Sequence, residues 1–198
     1  MSFRIEKKFR MSKSEMIVFE EQFINQKKAE IIYPKRRINS IYFDNPNLAS
    51  FHDSEEGVLP RKKIRIRWYN NLYSFYKEEK ISSEEGRFKI VNDSQLNSFD
   101  AAISKKYLDD FYGLISPSLI VVYDRSYYSF KKIRITIDKN ITYQEPNNLY
   151  THPFMDDEFV VELKTDNLIN NDYVDNLLYF PNTRFSKYCR GINYLELS

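Results

Sequence analysis

The sequence predicts an α+β fold rich in antiparallel strands, closed into a barrel with helices packed outside it. Three observations carry that reading. Several segments alternate charged and apolar residues with a period of two, which gives a strand one polar and one apolar face. The clearest is Arg61-Lys62-Lys63-Ile64-Arg65-Ile66-Arg67-Trp68-Tyr69, with Arg61, Lys63, Arg65 and Arg67 on one side and Ile64, Ile66 and Trp68 on the other. Tyr (16) and Phe (15) are abundant and Gly (4) is scarce, which favours strands and argues against glycine-rich phosphate loops. About three stretches have helical spacing, each placed between strands. Closure would abolish sheet edges, gather the charged faces into one lumen and leave the apolar faces for the helices to cover.

The elements follow in order. Residues 3–10 read as a strand. Ser12 caps a helix, Glu15 completes a capping box, and Met16, Phe19, Glu20 and Phe23 form a mostly apolar stripe through about residue 26. Pro34 separates a short segment, 30–33, from a strand over 37–44. Asn45-Pro46-Asn47 is a turn, followed by a short helix and loop over 48–56. Strands 61–69 and 73–82 meet as a hairpin across Asn70-Asn71-Leu72, and Ser83-Glu84-Glu85-Gly86 turns the chain into strand 87–91. Residues 94–114 read as helical on the spacing of Leu96, Phe99, Ile103, Leu108 and Phe111. Pro117 precedes a strand over 119–130, and Lys131-Lys132 connects it tightly to a strand over 133–143. A loop over 144–157, a strand over 158–165, a helix over 170–180 and a short element over 184–193 complete the chain.

At 198 residues the chain can bury a sizeable core, and with no repeat or linker it reads as one domain, 1–198. A net charge of +2 gives no bulk basic signal for nucleic acid. There is no Walker A motif and no dinucleotide fingerprint, so any phosphate must be held mainly by side chains. Cys189 is the single cysteine, which excludes a disulfide framework or a cysteine zinc site and reads as a partly buried, inert thiol. His52 and His152 fall in loops without partners at metal spacing. No apolar run is long enough to span a bilayer and the first residues do not open a signal peptide, so the expected compartment is the cytoplasm.

The chemistry lies in the charged faces. The candidate inner face collects Arg4, Glu6 and Lys8, then Arg65, Arg67, Glu78 and Lys80, then Arg87 and Lys89. It continues with Tyr123, Arg125, Arg134, Asp138, Glu162 and Lys164. Four cations on one strand face repel one another unless an anion sits among them. Arginine matches phosphate with a forked pair of donors, and lysine adds a compact charge. Glu162, Glu6, Glu78 and Asp138 offer hard oxygen ligands for Mg²⁺ or Mn²⁺. Any one such strand reads more readily as a solvated outer face laced with ion pairs. Recurrence in about six strands is what points to an anion-binding lumen and to phosphoryl transfer, which needs mainly positioning, charge neutralisation and a metal. Lys27-Lys28 and Lys35-Arg36-Arg37 read as solvated charge or as a guide for a polyanion.

An ordered series of motifs then carries a resemblance. Arg4-Ile5-Glu6-Lys7-Lys8-Phe9, Ser40-Ile41-Tyr42-Phe43-Asp44, Ile64-Arg65-Ile66-Arg67-Trp68-Tyr69 and Glu78-Glu79-Lys80 come first. Tyr123-Asp124-Arg125, Arg134-Ile135-Thr136-Ile137-Asp138, Val161-Glu162-Leu163-Lys164 and Arg184-Phe185-Ser186-Lys187-Tyr188 follow. The series resembles the VTC domain, the polyphosphate polymerase catalytic domain of the triphosphate tunnel metalloenzymes, related to CYTH phosphatases. The resemblance implies an antiparallel eight-stranded tunnel that takes ATP, triphosphate or inorganic polyphosphate. It implies phosphate binding by Arg65, Arg67, Lys80, Arg125 and Arg134, joined by Lys8 and one of Arg87 or Lys89. Glu162 would hold the metal, Ser186 and Lys187 with Arg184 would bind phosphate, and Tyr123 would line the tunnel. The wider superfamily often opens with two alternating glutamates before a lysine; here Arg4 takes the first slot, which weakens a two-metal hydrolase. Three functions stay open: a polyphosphate-forming phosphotransferase, a triphosphate hydrolase, and a polyanion-binding module without turnover.

Overall fold

A computed structural model describes residues 4–166, 173 and 180–196. Its main feature is one antiparallel sheet, built from β1 (Arg4–Met11), β2 (Glu30–Asp44), β3 (Arg61–Tyr69), β4 (Tyr76–Ser83), β5 (Gly86–Asp93), β7 (Gly113–Phe130), β8 (Ile133–Gln144) and β10 (Phe159–Asp166). These eight strands run in the order β1-β10-β8-β7-β2-β3-β4-β5. Two short strands lie off this path: β6 (Tyr107–Asp109) pairs with β7, and β9 (Phe154–Met155) pairs with β8. Helices α1 (Lys13–Phe19), α2 (Ala49–Glu56), α3 (Phe99–Ile103) and α4 (Lys187–Glu196) are interspersed. The fold class is the expected one, a β-rich α+β fold with an eight-stranded antiparallel sheet. Among the described residues no helix is long and apolar enough to cross a membrane.

Contacts group the residues into two compact units. The first comprises 1–36, 123–141 and 156–185; the second comprises 37–122, 142–155 and 186–198. The alternation seen in the sequence gives each unit its core. In the first, Phe9 and Met11 of β1, Ile133, Ile135 and Ile137 of β8, and Val161 and Leu163 of β10 share the apolar face. Helix α1 and its π-helical continuation, Glu20–Gln26, cover that face with Met16, Phe19 and Phe23. The helix starts where expected, with Ser12 and Glu15 forming the reciprocal capping box. In the second unit, Ile41, Phe43, Ile64, Ile66 and Trp68 pack against Ala102, Phe99 and Ile103 of the α3 region.

Turn chemistry fixes the register. Lys131 and Lys132 both have positive φ (46° and 66°), the geometry that a two-residue hairpin loop demands. The hairpin after β3 sets Arg65 opposite Glu78 and Lys63 opposite Lys80. Helix α4, the expected terminal element, packs closely at Gly191, where an added Cβ would lie 2.6 Å from both Leu119 Cδ2 and Tyr143 Cδ1.

Two expectations need correction. Residues 30–33 and 37–44 are one strand, because the recorded register with β3 begins at Ile38 and Pro34 costs no bond in that ladder. Residues 94–114 are not one helix: α3 covers five residues, and β6 then folds back on the start of β7 with Leu108 opposite Leu114. The Asp109 carboxylate holds that reversal, accepting hydrogen bonds from the Phe111 and Tyr112 amides and pairing with Lys62. Of the apolar residues that mimicked a helical stripe, Leu108 and Phe111 are exposed, while Leu96, Phe99 and Ile103 pack against the core. The expected helix over 170–180 lies outside the described residues, apart from Tyr173 and Phe180.

Gly191→Ala tests the seat of α4. Alanine gains helix propensity, but Leu119 and Tyr143 are fully buried and have nowhere to go. The expected outcome is a loss of about 1–3 kcal/mol, read as a lower Tm in thermal unfolding. A raised Tm would show that the helix does not sit against those two side chains.

Candidate anion site

In the first unit, pairing of β1 with β10 sets Glu6 opposite Lys164 and Lys8 opposite Glu162. Pairing of β10 with β8 sets Glu162 opposite Thr136 and Lys164 opposite Arg134. The Lys164 ammonium lies 2.6 Å from Glu162 Oε1 and 3.4 Å from Glu6 Oε2, and Lys8 Nζ lies 3.1 Å from Glu6 Oε1. Lys8 also donates to the Phe185 carbonyl at 3.3 Å. Burial works to raise the Glu162 pKa, but Lys164, Lys8 and Arg125 outweigh it and hold the carboxyl well below the usual range. Arg125 grips Asp138 with two parallel bonds, Nε to Oδ1 at 2.6 Å and Nη2 to Oδ2 at 2.7 Å. Its guanidinium lies 5.2 Å from the buried Tyr123 ring. Arg134 is exposed.

The second unit holds a denser cluster. Arg65 donates from Nε and Nη2 to Glu78 Oε2, at 2.8 and 2.5 Å, and from Nη1 to Tyr42 Oη at 2.8 Å. Arg67 donates to Ser40 Oγ at 3.2 Å, with its Nη1 3.7 Å from Glu78. Lys89 takes the other Glu78 oxygen at 2.7 Å. Burial pushes Glu78 upward, yet Arg65, Arg67 and Lys89 bring its pKa down to about 2. Lys63 donates to Ser186 Oγ at 3.1 Å, and Ser186 also accepts from the Cys189 amide in the first turn of α4. Lys80 and Arg87 are exposed on the same sheet, with Lys80 opposite Lys89 and Arg87 opposite Ser82. Lys187, in the first turn of α4, adds its charge near Tyr42.

Placement of the expected residues is therefore mixed. Within the first unit the structure brings together Glu6, Lys8, Glu162 and Lys164, with the Arg125–Asp138 pair close enough for the Arg125 charge to act on Glu162. Within the second it brings together Arg65, Arg67, Glu78 and Lys89, with Lys187 nearby. Arg184 is exposed, and the Arg4 side chain lies outside the described residues. Glu78 and Asp138, two of the expected metal ligands, are engaged by cations: Arg65 and Lys89 take the two Glu78 oxygens, and Arg125 takes both oxygens of Asp138. Glu6 and Glu162 fit a divalent ion better, since both already converge on one cation, the Lys164 ammonium. Among the described residues there is no group of three or more His, Cys, Asp or Glu side chains at metal distance. Two carboxylates still suit Mg²⁺, which takes few protein ligands and completes its shell with phosphate and water. His52, which lies in helix α2 rather than in a loop, and His152 are exposed, and Cys189 is buried. Lys63, Ser40 and Tyr42 belong to the second cluster and were not assigned from the sequence. The period-two alternation that exposed the arginines also selects Ser40 and Tyr42, but uncharged residues gave no reason to follow it.

Glu78 makes the second cluster pH-sensitive. Its folded pKa of about 2 lies below the ordinary 4.5, so its contribution is full above about 4.5 and is lost as pH falls toward about 2. At neutral pH that contribution is on the order of 3 kcal/mol. The stability gap between the native chain and Glu78→Gln should shrink on acidification through this window, measured by denaturant unfolding at a series of pH values. A constant gap would show that the carboxylate is not held by the arginines.

The VTC domain family model matches residues 3–114 and 112–196. A search of curated proteins finds no match. Among solved structures, the chain resembles HpAC1 from Hippeastrum, described as having a dominant triphosphatase activity. That match has TM-score 0.54 and 12% identity, and covers 95% of this chain and 95% of that one. A protein from Pyrococcus horikoshii OT3 matches with TM-score 0.53 and 19% identity, over 99% of this chain and 100% of that one. At such identities these two matches establish the fold, and the family model covers nearly the whole sequence: the chain belongs to the VTC domain family.

Proposed function

We propose that the protein is a metal-dependent phosphotransferase that acts on ATP and inorganic polyphosphate and grips the triphosphate with arginines and lysines. The observation that carries this reading is the second-unit cluster. There one buried carboxylate, Glu78, is shared by Arg65, Arg67 and Lys89, while Lys63 and Lys187 add further charge beside them. A face so rich in cations repels itself and is relieved by a bound polyanion. Glu78 and Ser40 hold the two guanidiniums in place, so that little side-chain entropy is lost when phosphate arrives. The family supports phosphate chemistry of this class, and its model spans residues of both compact units, which supports reading them as one functional domain.

In the first unit, Glu6 and Glu162 would hold Mg²⁺ or Mn²⁺, and Lys164 would move from the carboxylates to a phosphate oxygen. The ion would supply charge neutralisation across the transferring group. Lys8 and Arg125 would add positive charge where negative charge builds up on the phosphates. Glu162 stays ionised throughout the working range, because its cationic neighbours hold its pKa down.

Incubation with ATP and Mn²⁺, followed by a polyphosphate-stained gel, tests the assignment. Long polymer is expected. Orthophosphate without polymer would make the chain a hydrolase, and binding without turnover would make it a polyanion-binding module. Glu162→Gln should abolish turnover across a Mn²⁺ titration while metal-free tripolyphosphate binding persists; native turnover at low metal would remove Glu162 from the metal site. Arg67→Ala should weaken tripolyphosphate binding by about 1.5–3 kcal/mol in a calorimetric titration, and unchanged affinity would remove it from the grip.

A further inference from the structure

We propose that Tyr42 is a phosphate-binding residue, whose phenolic O–H donates to the same anion that Arg65 and Arg67 hold. The inference rests on the triphosphate reading above and adds to it a neutral donor among the cations. Register sets Tyr42 of β2 directly opposite Arg65 of β3, and Ser40 opposite Arg67. The Tyr42 oxygen accepts from Arg65 Nη1 at 2.8 Å, which uses a lone pair and leaves the phenolic proton to be donated elsewhere. Among the described residues no hydrogen bond takes that proton. The ring is 7% exposed, so bulk water is a poor substitute.

The surroundings explain why no protein acceptor takes it. Arg65 and Arg67 on β3 and Lys187 on α4 are the charged groups that act on the phenol, and all three only donate. On β4, Glu78 spends its oxygens on Arg65 and on Lys89 of β5. On β2 itself, Asp44 accepts from the Tyr188 hydroxyl at 2.6 Å and from the Asn45, Ser50 and Phe51 amides. Tyr188 of α4 stacks on the Tyr42 ring with centroids 5.0 Å apart, which fixes the ring without taking its proton. A buried donor ringed by cations and lacking an acceptor is completed by an anion. A phosphate oxygen on Arg65 and Arg67 supplies one.

The same setting gives the phenol a distinct titration. Burial opposes ionisation, but Arg65, Arg67 and Lys187 bring its pKa down to about 8. Above that value the donor becomes an anion, and phosphate is repelled. Bound phosphate in turn pushes the phenol pKa up, by linkage.

The test is metal-free tripolyphosphate binding by calorimetry from pH about 7 to about 9.5, where lysines stay charged, for the native chain and Tyr42→Phe. Phenylalanine keeps the ring stack and removes only the hydroxyl. Native affinity should fall about ten-fold per pH unit above about 8. The variant should bind about ten-fold or more weakly near pH 7 and should lack that alkaline limb. Phenolate absorbance of the native chain gives a second readout that does not need the variant to fold. One tyrosine should titrate near 8 and move to higher pH with tripolyphosphate. Equal affinity and the same pH profile in both chains would overturn the role of Tyr42 alone, as would a phenolate transition that tripolyphosphate leaves in place. If the native chain binds no tripolyphosphate, the functional reading fails and this inference fails with it.

Discussion

Like charge crowded onto one face of a sheet is the constraint on which the rest of the structure depends. Strand alternation places Lys63, Arg65 and Arg67 on a single side of β3, about 7 Å apart at each step of two residues. At that spacing their repulsion is costly wherever water is thinned out. The chain answers by setting a carboxylate across the register. Glu78 stands opposite Arg65, Glu162 stands opposite Lys8, and Glu6 stands opposite Lys164. Each such pair is partly buried, so its desolvation penalty offsets much of its Coulomb gain. Besides the stability that remains, the pairs hold cations ready in fixed positions.

The opposite face pays for this arrangement. Isoleucines at 64 and 66 in one unit, and at 133, 135 and 137 in the other, are buried to the last few per cent. They are covered by aromatic and aliphatic side chains from α1 and α3. Burial of this kind contributes about 1.5–3 kcal/mol for each large apolar side chain. A face of fixed cations is affordable only on such a foundation. The two sides of each strand thus have separate tasks, and one sequence period sets both.

That period is also why so much was legible in the sequence. Alternation alone located most strands, assigned Trp68 to the apolar side and selected Arg65, Arg67 and Glu162 for the charged side. Helix α1 was legible because Ser12 and Glu15 form a local capping box. What escaped depends on contacts distant in sequence. Leu108 and Phe111 extend a helical stripe, and only the Asp109 turn with its tie to Lys62 reveals a reversal. The pairing of Asp138 with Arg125 and of Glu78 with Arg65 depends on inter-strand register, so the arginine partners of these carboxylates could not be read from the sequence. Tyr42 and Ser40 carry no charge, and their value appears only once β2 is laid beside β3.

The central claim is that these cations are arranged for a chain of phosphates. Thermal unfolding of the native protein in rising tripolyphosphate, against sodium chloride of equal ionic strength, tests it most directly. A ligand that binds only the folded chain raises Tm in proportion to the logarithm of its concentration once above its Kd. The account predicts an onset near the Kd followed by that steady rise with tripolyphosphate, and none with chloride. Equal responses to the two salts would mean that the charged faces are merely screened, and would contradict it.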